Sequence, residues 1–428
     1  MSTLLEIEND AIRLPPPPRT PRTLRVALAG CGTVGGELVR LLHHGAAEIR
    51  ARHGVRVRLV RVLVAHRGRP RPAELDPALL TTDLDAFLAE DADVVVEAIG
   101  GVDPALRIAR TALGRGRRLV TANKALIAAH GPELALLARR HRGRLDFESA
   151  VAGGIPVIRA LRDSLGLTGI ARVRGILNGT TNFILTRLDE GWRYADALAD
   201  AQARGFAEAN PARDLSGEDA TDKLRILAWL AFGIRPDALV LRRRGIDPDP
   251  ERLAADARLL GGAARLVAES VETESGVVAA VEPVIVPLAG PLGRTRGEEN
   301  VVLIESRSNG GITLSGPGAG GGPTASSLLA DLVRGAGRLA RPAAEPPVPV
   351  NDTREHRWAL SVVRTIHAAG VLDRTLARAG VPTSTVLADG DRRVAVTEPV
   401  GWQRIDLALR VLGAELLAPV VSRVEVSV

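Results

Sequence analysis

At 428 residues the chain is longer than one compact core usually allows, so its length predicts two or three domains. Apolar residues make up 46% and charged residues 25%, values typical of a folded globular protein and not of a disordered one. The formal charge of +6 is spread along the chain and aromatic residues make up only 2%, so the composition argues against a nucleic-acid-binding protein.

The first 23 residues predict an unpacked tail. The opening MSTLLEIEND carries acids where a secretory signal has a basic region and an apolar stretch, and no later window offers about 18 uninterrupted apolar residues. Pro15 to Pro18 and Pro21 favour extended polyproline conformation. A single cysteine, Cys31, permits neither an internal disulfide nor a thiolate zinc site. We expect a cytoplasmic protein with no membrane partner.

Residues 24–150 alternate predicted strands with predicted helices. The helices begin near Gly36 and Pro104. The predicted strands are LRVALAG, VRVRLVRVLVA, DVVVEAIG, RLVTAN and LDFES. Alternation at these lengths is typical of a parallel, doubly wound sheet, so the fold class of this first domain is α/β.

A G-x-G-x-x-G pattern at Gly30, Gly32 and Gly35 lies between the first strand and the first helix. Glycine permits a tight turn and a close approach of backbone amides to a pyrophosphate, which the positive end of the helix attracts. The alternative is a purely structural turn. Because a strand precedes the pattern and a βαβ period follows it, we predict a Rossmann-type dinucleotide-binding domain.

The end of the second strand bears on the choice of cofactor. Residues 63–67 read Leu-Val-Ala-His-Arg, with no acid placed to bind a ribose 2′-hydroxyl. Arg67 and Arg69 could meet a 2′-phosphate, which favours NADP over NAD. In a chain so rich in arginine, the alternative is that both are surface residues.

Residues 151–322 predict a mixed α+β domain for substrate binding and oligomerisation. The predicted elements are helices over Thr180–Leu188, Tyr194–Arg204 and Glu218–Ala231, and strands over Ile170–Leu177, Val281–Val286 and Val301–Ser306. The glycine-rich GPGAGGGPTASSLLADLV then opens a helix over 323–338 that we expect to return to the first domain.

A proline-rich linker is predicted over 339–353. Residues 354–428 follow it and read as strand, helix, strand, strand, helix and strand. This order is typical of a ferredoxin-like βαββαβ module.

Only two lysines, Lys124 and Lys223, occur among the 56 basic residues. An ammonium can lose its proton and a guanidinium effectively cannot, so both are candidates for chemistry. Asp219 and Lys223 stand four residues apart on a predicted helix, where the acid can hold the lysine in place. The alternatives are chance survival of the lysines and an ordinary surface ion pair.

The stretch AQARGFAEANPARDLSGEDATDK at 201–223 resembles the signature of homoserine dehydrogenases. Other segments that resemble family motifs, in family order, are TANKA at 121–125, FESAVAGGIP at 147–156, NGTTNFIL at 178–185 and the glycine-rich run around 318–325. The resemblance covers residues 24 to about 338. The C-terminal module is similar to an ACT domain, but it lacks the usual acid before its Gly370-Val371-Leu372 turn. We therefore expect the fold of an ACT domain, and the resemblance leaves threonine feedback open.

The resemblance implies reduction of aspartate semialdehyde to homoserine, or the reverse, by hydride exchange with NADP or NAD. It implies that Lys223 protonates the developing alkoxide, that Asp219 orients it and that Lys124 lies near the nicotinamide and the substrate oxygen. The implied substrate-binding residues are Glu208, Asp214 and Thr180. The implied cofactor-binding residues are Gly30, Gly32, Thr33, Val34, Gly35, Arg67, Lys124, Gly318 and Gly320.

The resemblance also implies a homodimer or homotetramer and a monovalent cation such as sodium. The cation would be held by Glu148 and the carbonyl groups of Val151, Gly153 and Ile155, since oxygen ligands suit a hard cation. The alternative for Glu148 is a buried acid bonded to neighbouring backbone amides. Rival functions are a dehydrogenase for another small amino-acid aldehyde and a nonenzymatic amino-acid sensor.

Overall fold

The computed structural model describes residues 22–308, 310–334, 354–363, 368–389, 392–414 and 420–425. Of the predicted tail over 1–23, residues 1–21 lie outside the described residues, as does the predicted linker over 339–353. The last two residues of that tail, Arg22 and Thr23, belong instead to the first strand, because they pair with Val55 and Arg56 of the next strand. Among the described residues, no helix combines the length and the apolar character needed to cross a membrane.

The first domain is built on a six-stranded parallel sheet. Its strands are β1 (Arg22–Ala29), β2 (Val55–Leu63), β3 (Leu80–Thr81), β4 (Val94–Glu97), β5 (Arg118–Thr121) and β6 (Arg144–Asp146). Its helices are α1 (Thr33–His44), α2 (Ala46–His53), α3 (Leu84–Ala89), α4 (Ala105–Gly114) and α5 (Lys124–Arg140). The strand order β3-β2-β1-β4-β5-β6 confirms the doubly wound α/β fold. In such sheets ligands bind where the order reverses, here between β1 and β4.

The second domain is a layer of helices on a mixed sheet. Its strands are β7 (Ile170–Ile176), β8 (Leu241–Arg243), β9 (Gly262–Thr273), β10 (Gly276–Pro287), β11 (Glu299–Ser306) and β12 (Gly310–Pro317). Its helices are α6 (Val157–Asp163), α7 (Gly179–Asp189), α8 (Tyr194–Ala203), α9 (Ala212–Leu215), α10 (Glu218–Phe232), α11 (Pro250–Leu259), α12 (Pro291–Arg294) and α13 (Gly321–Val333).

The C-terminal module extends the same sheet. Its elements are β13 (Glu355–Val363), α14 (Ala368–Arg378), β14 (Thr383–Asp389), β15 (Arg392–Thr397), β16 (Val400–Gly401), α15 (Trp402–Ala414) and β17 (Val420–Val424). The strand order runs β12-β11-β7-β9-β10-β17-β13-β15-β14, so β17 joins the module to β10. The similarity of this module to an ACT domain stays a prediction.

The helix α13 returns from the second sheet to the first domain. Its buried residues Ala325, Leu328 and Leu332 share one apolar core with Val26 of β1 and Leu38 of α1. Burial of this face brings the glycine-rich segment before α13 close to the glycine turn after β1. The two domains therefore form one cleft between them.

Candidate active site

The turn after β1 depends on glycine at two positions and leaves space at a third. Gly30 has φ +93°, and a Cβ there would lie 2.5 Å from the carbonyl oxygen of Ala98. A Cβ on Gly35 would lie 2.0 Å from the carbonyl oxygen of Gly30, whereas one on Gly32 would meet nothing within 4 Å. The backbone at Gly32 is thus open to a ligand, which fits a pyrophosphate in this turn.

Two helices begin side by side at this turn. A Cβ on Gly321, the first residue of α13, would lie 3.1 Å from Cγ2 of Thr33, the first residue of α1. Gly320, with φ +103°, precedes α13. In the part of the chain that the structure describes, no side chain caps either helix. Their N-terminal amides and positive helix ends suit an anionic cofactor.

A cleft of about 270 Å³ lies beside this turn. Most residues that line it follow β1, β4 and β5 or belong to the glycine-rich segments around 149–153 and 318–324, and Lys223 reaches it from α10. Of the predicted residues, the lining includes Val34, Lys124, Gly153, Lys223 and Gly318. The other lining residues are Ala98, Ile99, Gly100, Ala122, Asn123, Ser149, Ala150, Ala152, Ala319 and Thr324.

Both lysines of the chain contact one carboxylate at the cleft. Nζ of Lys223 lies 2.7 Å from Oδ2 of Asp219, and Nζ of Lys124 lies 2.9 Å from Oδ1 of the same residue. Lys223 and Asp219 are buried, whereas the side chain of Lys124 is 40% exposed. The predicted pair therefore forms on α10, and the lysine 99 residues earlier joins it from α5.

Local structure aims the two ammonium groups. Lys124 is the first residue of α5, whose N-cap Asn123 accepts a hydrogen bond from the Leu126 amide at 3.0 Å. Lys223 also donates to the carbonyl oxygen of Leu177 at 2.6 Å. Within the described residues, the contacts with Asp219 and Leu177 use two of the three N–H groups of Lys223. The third is available to a ligand in the cleft.

The lysines hold Asp219 ionised. Burial alone would raise the pKa of Asp219, but the ammonium groups of Lys223 and Lys124 outweigh it and hold that pKa well below its usual range. Burial alone would lower the pKa of Lys124, and Asp219 instead raises it. Asp219 and Lys124 therefore both stay charged at neutral pH.

Asn178, which the residue-level predictions did not include, joins two predicted carboxylates. Its Nδ2 donates to Oδ1 of Asp214 at 2.7 Å and to Oδ2 of Asp219 at 2.9 Å. Burial raises the pKa of Asp214, an effect that the hydrogen bond from Asn178 opposes. The one signal in the sequence was its place as first residue of the NGTTNFIL segment.

The three predicted substrate residues, Glu208, Asp214 and Thr180, lie outside the lining of the cleft. Thr180 is linked to the loop of Glu208 through one hydrogen bond. The hydroxyl of Thr180 donates to the carbonyl oxygen of Phe206 at 2.5 Å, two residues before Glu208. Glu208 is exposed, and its backbone carbonyl accepts a hydrogen bond from Gln202 at 3.2 Å. Thr180 thus ties α7 to the loop that carries Glu208.

Glu97, a fully buried carboxylate at the end of β4, was also missed. Its Oε1 accepts hydrogen bonds from the amides of Ile99 at 2.8 Å and Gly100 at 3.3 Å, and from Nδ2 of Asn123 at 3.4 Å. Its Oε2 accepts one from the hydroxyl of Thr121. It therefore joins two segments of the cleft wall, and as one glutamate inside an apolar run it carried no distinct sequence signal.

Two arginines follow β2 near the glycine turn. Exposed Arg67 donates to the carbonyl oxygen of Leu80 at 2.7 Å. Arg71, which the sequence reasoning passed over, donates to the carbonyl oxygen of Cys31 inside the turn and to that of His66 at 3.0 Å. These hydrogen bonds fix a guanidinium against the glycine turn.

The carboxylate of Glu148 is already bonded to the protein. It accepts hydrogen bonds from the amides of Ile158 at 2.8 Å and Arg159 at 2.9 Å, and it pairs with the Arg159 guanidinium at 3.0 Å. The Gly153 carbonyl accepts a hydrogen bond from Ser327. Because Arg159 neutralises its charge, Glu148 fits poorly as the anionic ligand of a cation. The cation site stays a prediction.

The chain is similar to known proteins over most of its length. Residues 30–148 match the family model described as homoserine dehydrogenase, NAD binding domain, and residues 156–333 match that of homoserine dehydrogenase. The homoserine dehydrogenase of Mycobacterium tuberculosis is 39% identical over 403 residues, which cover 88% of this chain and 90% of that protein. The chain belongs to the homoserine dehydrogenase family.

Solved structures of the homoserine dehydrogenase family share the architecture. The chain is similar to a homoserine dehydrogenase from Thiobacillus denitrificans with a TM-score of 0.83 and 30% identity, covering 94% of this chain and 98% of that one. A hyperthermophilic archaeal homoserine dehydrogenase in complex with NADPH has a TM-score of 0.62 and 27% identity, covering 73% of this chain and 97% of that one. This chain is thus an oxidoreductase of the family with an NAD(P)-binding domain, as its motifs predicted.

Proposed function

We propose that the chain interconverts L-aspartate 4-semialdehyde and L-homoserine, with Lys223 as the group that exchanges a proton with the substrate oxygen. The observation that carries this assignment is the contact of two ammonium groups with the single carboxylate of Asp219, at 2.7 and 2.9 Å, where both lysines line the cleft. A site with two fixed cations suits a reaction that develops negative charge on one oxygen.

In the reducing direction, the nicotinamide cofactor supplies the hydride that forms the new C–H bond at the aldehyde carbon. The carbonyl π electrons move onto the oxygen, which takes a proton from Nζ of Lys223 and becomes the hydroxyl of homoserine. An alkoxide is a much stronger base than an amine, so this transfer is favourable even though Asp219 stabilises the ammonium. Lys124 donates a hydrogen bond to the same oxygen, and solvent returns the proton to Lys223.

The substrate also carries an ammonium group and a carboxylate that must be held. We assign the ammonium group to Glu208, with Asp214 on the same side of the site. Support comes from the hydrogen bond of Asn178 to Asp214 and from the contact of Thr180 with the loop of Glu208. Because Glu208 is exposed and lies outside the lining of the cleft, we expect its loop to move inward when substrate binds.

We further propose that NADP is preferred to NAD. Arg67 and Arg71 follow the strand whose end carries the ribose-binding acid in NAD enzymes, and no acid stands there in this chain. Arg71 contacts the turn itself. The archaeal relative named for its NADPH complex is consistent with this preference.

The test is oxidation of homoserine followed at the absorbance of the reduced nicotinamide, with NADP and NAD in parallel. We expect wild type to reduce NADP more efficiently and K223A to lose about 100-fold or more in kcat with its melting temperature nearly kept. The matched control is R225A, because Arg225 is a half-exposed residue on the same helix. This variant should oxidise homoserine at the wild-type rate. Equal rates in wild type and K223A would remove Lys223 from the mechanism. A higher rate with another short amino alcohol would assign a related dehydrogenase.

A further inference from the structure

Asn178 uses its whole hydrogen-bonding capacity at the edge of the site. Its Oδ1 accepts from the amide of Thr181 at 2.8 Å and from the Thr181 hydroxyl at 2.9 Å, which caps α7. Its Nδ2 donates both protons, one to Asp214 and one to Asp219. The side chain is only 4% exposed, so water does not substitute for these partners.

The orientation of this amide follows from its neighbours. A backbone N–H can only donate and an ionised carboxylate can only accept, so the oxygen must face Thr181 and the nitrogen must face the two acids. Turning the amide over would place acceptor against acceptor and donor against donor. The N-cap of α7 thereby fixes the direction in which the amide protons point.

An amide suits this position because the surroundings are already acidic. Asp214 and Asp219 face each other across Asn178, and the positive charges nearest them are Lys223 on α10 and Lys124 on α5. A neutral donor binds both carboxylates without displacing either lysine from Asp219. A third cation would compete with the lysines for Asp219, and a third carboxylate would repel both acids.

We propose that Asn178 is a positioning residue, which holds Asp219 between the two lysines and Asp214 at the substrate-binding edge by donating one amide proton to each. The inference rests on the proposed function, since it deepens the roles of those residues. Asn178 itself contacts no reacting atom in this assignment. It acts through the two carboxylates.

Two substitutions separate positioning from capping. N178A removes the cap and both donated protons, whereas N178D keeps a capping oxygen but replaces the donor with a like charge. If Asn178 only capped α7, N178D would be the milder change. If it positions the acids, N178D is the more harmful one. N182A is the control, because Asn182 is a buried amide on the same helix that donates to the Gly297 carbonyl at 2.9 Å, away from the acids.

The readout is kcat/KM for homoserine across pH. Loss of the amide donor raises the pKa of Asp214, and a like charge raises it further, so the acid limb should move to higher pH in N178A and further in N178D. We expect kcat/KM at neutral pH to fall about 100-fold in N178A, because a small displacement of catalytic groups has that effect. N182A should keep the wild-type pH profile. A wild-type limb in N178D, or a shift in N182A of equal size, would overturn the proposal.

A second measurement remains decisive even if wild type does not oxidise homoserine, which would refute the proposed function alone. When a substitution raises the pKa of a carboxyl in the folded protein, stability relative to wild type is lost as pH rises through the wild-type value. The deficit in melting temperature of N178D should therefore grow with rising pH, and that of N182A should not. A deficit in N178D that is independent of pH would contradict the positioning role.

Discussion

Asp219 is surrounded by donors from three elements. Lys223 approaches from its own helix, Lys124 from the start of α5 and Asn178 from the start of α7. Each donor alone would be an ordinary polar contact. Together they keep the carboxylate ionised although it is only 6% exposed, and they fix both ammonium groups relative to the cleft.

Substitution D219N tests this arrangement at one residue. An asparagine there would keep one acceptor oxygen and turn an NH₂ group toward a lysine or toward Asn178, so at least one donor would lose its partner. We expect kcat to fall about 100-fold or more and KM for homoserine to change less, because the loss falls on alkoxide stabilisation. Steady-state kinetics measures both.

Asp222 provides the control for that substitution. It lies on the same helix, and its carboxylate pairs with Arg213 at 3.0 Å and not with either lysine in the described contacts. D222N should leave kcat within about threefold of wild type, as expected for a change outside the site. A D219N protein as active as D222N would show that the two-lysine contact has no role in turnover.

At the scale of elements, Glu97 joins the end of β4 to the end of β5 and to the N-cap of α5. Its carboxylate accepts hydrogen bonds from the backbone amides of the loop after β4 and from the side chains of Thr121 and Asn123. This places Lys124, the residue after Asn123, at a fixed point of the cleft wall. A carboxylate at the carboxyl end of the central strand β4 thus helps to fix where α5 begins.

Two substitutions of Glu97 should differ in effect. E97A leaves buried donors without an acceptor, so we expect a loss of about 2 to 5 kcal/mol in the free energy of unfolding. E97Q keeps an acceptor for the Ile99 amide and can donate to the Thr121 hydroxyl, so its loss should be smaller. Urea denaturation gives the comparison, with E133A on exposed α5 surface as a control. Equal destabilisation by E97A and E133A would refute this role.

Elements with a clear period were predictable from the sequence. Helices α7, α8 and α10 and strands β7 and β11 lie within two residues of their predicted bounds, because their apolar spacing and their turns agree. Strand β9 was missed, since GAARLVAESVET carries no strict alternation and is buried on both faces. Strand β12 was missed because its glycine-rich sequence favours a loop, and pairing with β11 overrides that preference.

The site was predictable where family motifs and the two lysines pointed to it. The sequence placed Lys223 beside Asp219, but spacing along one helix could not show that Lys124 reaches the same carboxylate. Asn178 and Glu97 were not predicted as site residues, because the sequence alone does not distinguish a buried polar residue that caps a helix from one that holds a catalytic group. Only the three-dimensional contacts separate these roles.

For the whole molecule, a buried ion network links the C-terminal module to the second sheet. Arg423 of β17 is 3% exposed and lies 2.9 Å from Glu269 of β9 and 3.6 Å from Glu282 of β10. Arg174 of β7 adds a contact to Glu269 at 3.6 Å. Burial alone would raise the pKa of Glu269, but Arg423, Arg172 and Arg174 outweigh it and hold that pKa well below its usual range.

Removal of Arg423 should weaken this link. R423A leaves two buried carboxylates short of a partner, so we expect a loss of about 3 to 5 kcal/mol in the free energy of unfolding. R410A is the control, because Arg410 is an exposed residue of the same module that pairs only with Asp406 in the described contacts. Urea denaturation of both variants is the measurement. Equal midpoints would show that the network does not support the fold.

The position of β17 has a consequence for synthesis of the protein. It pairs with β10 in parallel at Val284 and Ile285 and with β13 in antiparallel fashion, so both halves of the long sheet meet on the last of the described strands. On the ribosome, this seam cannot close until β17 has emerged, long after β10. A prematurely terminated product lacking residues 420–425 would leave the edge of β10 bare at that point, and bare edges recruit strands from other molecules. Aggregation during translation, more than loss of chemistry, is the failure that this topology invites.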